Sequence, residues 1–188
     1  MQNVLVTILC RDRPGIIYQA SRILADCRLS IIEVSQTTLL GEFAGLFSCA
    51  LPEGVELCDV NQDLERKLAD SGLIHVIREI TPGAPPLVSP ASHEPYVVTV
   101  RGRDRHGLIP EFAGTMSGFD INIDTLRAVS LPSLETQTEK KVVMFFELSV
   151  PKSVNQSALR QALDLTADSL GMEMSLQHRD IFEAIHRL

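Results

Sequence analysis

One short bend carrying an acid between two bases occurs twice in this chain. Arg11-Asp12-Arg13-Pro14-Gly15-Ile16-Ile17 returns as Arg103-Asp104-Arg105-His106-Gly107-Leu108-Ile109. Both copies separate an apolar run from a second run with helical spacing. A protein core has no use for these residues, because burying unpaired charge is costly. A ligand-binding turn has. Asp12 and Asp104 can accept from an ammonium group. A helix opening behind the bend offers unpaired N–H groups and a partial positive charge, which suit a carboxylate. Gly15 and Gly107 let the backbone approach a small molecule closely. The plainer readings are that both aspartates only cap helices, and that Arg13 and Arg105 are solvated loop residues.

The repeat reaches well beyond the bend. Val6-Thr7-Ile8 matches Val98-Thr99-Val100, and Leu29-Ser30-Ile31 matches Ile121-Asn122-Ile123. The second copy then carries extra residues around Leu131 to Lys140. Beyond them Pro52 matches Pro151, Leu64 matches Leu163 and Gly72 matches Gly171. Two related domains are expected, over residues 1–81 and 95–188. Between them, residues 82–94 read as a stiff, proline-rich linker, since Thr81 to Pro95 contains five prolines and no periodic pattern.

Each domain must position its bend with the same elements. Val4 to Leu9 reads as a buried strand. Pro14 suits a first helical turn because it lacks the N–H that would be unpaired there. Ile16, Ala20, Ile23, Leu24 and Cys27 follow at helical spacing. Leu29 to Leu39 and Phe43 to Leu51 read as paired strands around Gly41-Glu42. Val60, Leu64 and Leu68 make a second helical stripe, and Leu73 to Ile80 a closing strand. The second copy repeats this order, with Leu159, Leu163, Thr166 and Leu170 as its second stripe. Ile181 to Leu188 adds a short helical turn. The expected class is α+β: two ferredoxin-like βαββαβ domains, each a four-stranded antiparallel sheet with two helices on one face. The other sheet face is either solvated or covered by another domain.

Composition narrows the function. The net charge of −7 opposes direct nucleic-acid binding. No apolar run approaches the roughly 18 residues of a membrane span. The N-terminus lacks the pattern of a signal peptide, so a cytoplasmic location is expected. Cys10, Cys27, Cys49 and Cys58 have no metal-ligand spacing, and they read as reduced, mostly buried thiols. His75, His93, His178 and His186 show no metal spacing either. No metal or other cofactor is expected.

A strand, then Asp-Arg-Pro-Gly-Ile, then a helix, then Leu-Ser-Ile at the start of strand two resembles the ACT domain, a small-molecule-binding regulatory module. The resemblance covers both copies, and a tandem pair without a catalytic domain is similar to the glycine cleavage system transcriptional repressor group. It implies a non-catalytic regulator that binds an amino acid, such as glycine or serine, at ACT domain interfaces and signals to a protein partner, with the transcriptional regulation of amino-acid metabolism as one such role. The positions it implies for ligand contact are Asp12, Arg13, Pro14, Gly15 and Ile16 with Ser30, and Asp104, Arg105, His106, Gly107 and Leu108 with Asn122. His106 departs from the proline of the pattern: it either contacts a ligand or marks a degenerate second site. Sheet edges that need partners imply a homodimer or larger assembly. Two other classes share the strand order. An acylphosphatase-type enzyme is suggested by Val100-Arg101-Gly102-Arg103, and an RNA-recognition module by Gly41 to Phe47.

Overall fold

A computed structural model describes residues 2–69, 71–80, 89, 91–132 and 140–186. The chain divides into two units, Met1–Pro85 and Pro86–Leu188. The first contains β1 (Gln2–Arg11), α1 (Ile16–Asp26), β2 (Ser30–Leu39), β3 (Glu42–Leu51), α2 (Leu57–Leu68) and β4 (Ile74–Ile80). Its sheet runs β2-β3-β1-β4, with antiparallel neighbours throughout. The second contains β5 (His93–Arg103), α3 (Leu108–Ser117), β6 (Asn122–Pro132), β7 (Lys140–Pro151), α4 (Gln156–Leu170), β8 (Met172–His178) and α5 (Arg179–His186). Its sheet order, β6-β7-β5-β8, is the same topology.

Alternation along the strands and a 3.6-residue period along the helices bring one face of each sheet against two helices. In the first unit Val4, Val6 and Ile8 of β1 and Phe43 and Phe47 of β3 meet Ile16, Ala20 and Leu24 of α1 and Val60, Leu64 and Leu68 of α2. In the second, Val98 and Val100 of β5 and Met144, Phe146 and Leu148 of β7 meet Leu108, Phe112 and Met116 of α3 and Leu159, Leu163 and Ala167 of α4. The α4 stripe differs from the expected one at its end. Ala167 is buried, whereas Thr166 is half-buried and shares a 2.8 Å hydrogen bond with Thr115.

Several expectations are corrected. β5 begins at His93, so His93 and Glu94, expected in the linker, are strand residues paired with β7. Pro95 is tolerated there because the β8 pairing starts only at Tyr96. Pro82, Pro85, Pro86 and Pro90 lie outside the described residues, as does Glu139 of the second hairpin. The first hairpin turns at Leu40-Gly41, both with positive φ (52° and 80°), the geometry of a two-residue turn that matches strand twist. Cys58 is exposed, unlike the other three thiols. Burial pushes the Cys49 thiol up to about 11, so it stays protonated and unreactive near neutral pH.

The C-terminal helical turn begins earlier than expected, at Arg179, and α5 packs on β5 and β8. It covers the outward face of the second sheet at Val97, which is buried although its neighbours Tyr96 and Val98 point to the opposite, helix-covered face. The outward face of the first sheet carries exposed Leu9, Leu46, Ile74 and Val76.

Candidate functional site

In the first unit the Asp12 N–H donates to the Gly41 carbonyl (2.8 Å), which anchors the bend to the β2–β3 hairpin. The Ile16 N–H donates to the Arg13 carbonyl (3.2 Å) and closes a turn around Pro14 and Gly15. Gly15 has φ 86° and is the N-cap of α1. Positive φ at the third residue is the demand of a type II turn, and proline favours the second. Pro14 therefore serves the turn before the helix, not the first helical turn as expected.

The capping role of Asp12 is also overturned, because α1 has no side-chain cap. Asp12 lies three places before the N-cap and is tied to the hairpin through its backbone N–H. Arg13 is exposed, and its guanidinium donates to Gln19 on α1.

The second bend repeats this backbone. The Asp104 N–H donates to the Lys140 carbonyl (2.8 Å), and Gly107 caps α3 with φ 89° and no side-chain cap. Here the carboxylate has a partner. Ser130, on edge strand β6, donates through Oγ to Asp104 Oδ2 at 2.6 Å. Asp104 is half-buried, and both it and Ser130 line a cleft of about 410 Å³. Asp104, Arg105, His106, Gly107 and Leu108 line one side of it. Ile109 and Pro110 of α3, Ala128 and Ser130 of β6, and Val142 and Met144 of β7 complete the wall. Sequence reasoning missed these six. Their signal is the β6–β7 register, in which Ala128 faces Met144 and Ser130 faces Val142, and a polar insertion hides that register.

Ser30 and Asn122 do not join their bends. Ser30 pairs with Ala50, which pairs with Asn3, whereas Asp12 follows Arg11 at the other end of β1. That is about 30 Å along the strand. Asn122 lies at the equivalent end of the second sheet. It donates to Asp124 (2.6 Å), which also accepts from Ser149 (2.7 Å). Either residue can share a ligand with a bend only when it comes from a different module.

The other sequence candidates are placed elsewhere. Arg101, Gly102 and Arg103 lie inside β5, and Arg101 pairs with Glu173 (2.6 Å), so they form no phosphate loop. Phe43 and Phe47 are core residues and cannot stack on bases. A further cleft of about 390 Å³ beside α4 includes Tyr96, Gln156 and Arg160. Of its polar groups, Arg160 donates to the Leu176 carbonyl, and Tyr96 and Gln156 both donate to Glu94. Burial, and then Glu94, push the Tyr96 hydroxyl pKa up. Among the described residues no three His, Cys, Asp or Glu side chains are grouped to hold a metal, and no helix is long and apolar enough to cross a membrane.

A family model for the ACT domain matches residues 2–77. A UPF0237 protein of Methanosarcina mazei is 30% identical over 94 residues, which is 50% of this chain and 95% of that protein. The chain belongs to the ACT-domain family. Its tandem arrangement also has structural counterparts. A protein of unknown function from Galdieria sulphuraria aligns with a TM-score of 0.75 at 21% identity, over 94% of this chain and 98% of that one. A candidate glycine cleavage system transcriptional repressor aligns at 0.68 and 20%, over 94% of this chain and 96% of that one. At such identity the likeness concerns the fold alone. Each unit of this chain therefore has the ferredoxin-like fold of an ACT module, and the second places an open cleft at its β–α bend.

Proposed function

We propose that this protein is a non-catalytic sensor that binds a free amino acid at the bend of an ACT module and passes the bound state to a protein partner. The observation that supports it best is the Asp104 carboxylate, set by Ser130 at the mouth of a cleft beside the uncapped start of α3. A carboxylate and nearby unpaired backbone N–H groups complement the two charges of an α-amino acid. Asp104, Arg105, His106, Gly107 and Leu108 are the contact residues in the second module, with Asp12, Arg13, Pro14, Gly15 and Ile16 in the corresponding place in the first. Ser30 or Asn122 contributes only from a neighbouring module.

Regulation of amino-acid metabolism through a protein partner fits both the acidic chain and the repressor-like fold. Self-association into a dimer or larger assembly fits the exposed apolar face of the first sheet. Light scattering at micromolar concentration tests that point, and a mass of one chain would refute it.

The binding reading is tested by a thermal-shift screen with the twenty common amino acids. A ligand at about 100 times its Kd stabilises the folded state by about 2.7 kcal/mol, which is a shift of several degrees for a domain of this size. At least one amino acid is expected to give such a shift, and calorimetry to give a matching heat of binding. Neither a shift nor heat from any of them would overturn the reading.

A further inference from the structure

We infer that the two bends have diverged: the second module alone takes the ligand, and the ligand is an amino acid with an apolar side chain of leucine or methionine size, not glycine or serine. This rests on the amino-acid reading above and deepens it.

The equivalence of the two sites is fixed by hydrogen bonds. Asp12 bonds the Gly41 carbonyl, and Asp104 bonds the Lys140 carbonyl. Counting along β3 and β7 from these anchors, Phe43 corresponds to Val142, and Gly45 to Met144. Each pair meets matching residues of the central strand: Cys10 and Gly102 for the first, Ile8 and Val100 for the second. On the edge strands Gln36 corresponds to Ala128, and Thr38 to Ser130.

The same place in the fold is filled differently. In the first module a Cβ on Gly45 would lie 2.8 Å from Phe43 Cζ and 2.8 Å from Phe47 Cε2. Two aromatic rings therefore converge over Gly45, and Phe43 is only 2% exposed. The Phe43 ring thus occupies volume over Gly45 that belongs to the Met144 side chain in the second module, and a ring so placed is expected to close the room beside the first bend. In the second module Val142 replaces the ring-bearing residue, and Met144 provides a buried floor. The cleft of about 410 Å³ opens above them.

The lining gives the ligand class. The polar side chains of the lining are Asp104, Arg105, His106 and Ser130. The other side chains are apolar: Leu108, Val142 and Met144 are buried, and Ile109, Pro110 and Ala128 are exposed around them. A glycine or serine held by Asp104 leaves those walls against water. A four-carbon or thioether side chain covers them, and burying it is expected to tighten binding about tenfold or more relative to glycine.

The test is calorimetry on the full chain with leucine, methionine, glycine and serine. Leucine or methionine is expected to bind at least about tenfold tighter than glycine or serine, with one site per chain. Ala128→Trp, made from an exposed position, is expected to fill the cleft and weaken leucine binding by about tenfold or more. The matching first-module change, Gln36→Trp, is expected to leave it unchanged. Should Ala128→Trp fail to fold, the comparison of side chains on the unaltered protein stands without any variant. Glycine or serine binding as tightly as leucine would overturn the inference and leave the amino-acid reading intact. Two sites per chain, or loss of binding in Gln36→Trp alone, would overturn the assignment to the second module. Failure of every amino acid to bind would remove both readings together.

Discussion

Asp104→Asn is expected to weaken amino-acid binding about tenfold or more while leaving the fold unchanged. Asparagine has nearly the shape of aspartate and retains an acceptor for the Ser130 hydroxyl, which now lies 2.6 Å from the carboxylate. What it loses is charge. Hydrogen bonds to a charged group contribute about 1.5–3 kcal/mol, against about 1 kcal/mol for neutral pairs, and a difference of about 1.4 kcal/mol is tenfold in Kd. Calorimetry with leucine measures this directly. The same substitution at Asp12 is expected to leave affinity within error, because the inferred site lies in the second module alone. Wild-type affinity in Asp104→Asn would mean that the carboxylate does not face the ligand.

Phe146→Ala is expected to cost about 3–5 kcal/mol of stability, the usual range for deleting a buried phenylalanine ring. Phe146 is fully buried at the centre of β7, with its ring centroid 6.2 Å from that of Phe112 on α3. Few neighbours can collapse into the void, because a rigid sheet forms one wall and α3 the other. A domain has only about 5–15 kcal/mol in total, so this one change brings the second module close to unfolding. The cleft shares that core through Leu108 and Met144, so binding is expected to weaken as well. Urea unfolding checks the prediction, and a loss below about 1 kcal/mol would show that the second module is not held by this core.

The two predictions also mark what could be read from the sequence. The β-α-β-β-α-β order was legible because strand alternation and helical stripes are local patterns. The duplicated bend was legible because its polar residues stand out between apolar runs. The start of α1 was misread for a specific reason. Pro14-Gly15 satisfies both a first helical turn and a type II turn, and only the φ of 86° at Gly15 decides between them. Once the turn takes those residues, Asp12 is too far from the helix to cap it.

Ser30 and Asn122 were grouped with the bends by the resemblance to the ACT domain. The antiparallel register sends them to the opposite end of each sheet, and that register depends on contacts remote in sequence. The same is true of Ser130, Ala128 and Met144. Their approach to Asp104 depends on β6 and β7 pairing across a polar insertion that carries no periodic signal. Gly45 and Met144 were visible as a difference between the copies, but its meaning needed the positions of the Phe43 and Phe47 rings. α5 was recognised as a turn, and its role as a cover over Val97 became clear only from packing.

A titration of isotope-labelled protein with leucine, followed by two-dimensional amide NMR, tests the location of the site most directly. Resonances of Asp104 to Ile109 on the bend and of Ala128 to Ser130 on β6 are expected to move together and to saturate, while those of Asp12 to Ile16 stay in place. Shifts confined to the cleft of Tyr96, Arg160 and Leu176, or no saturable shift anywhere, would contradict the account.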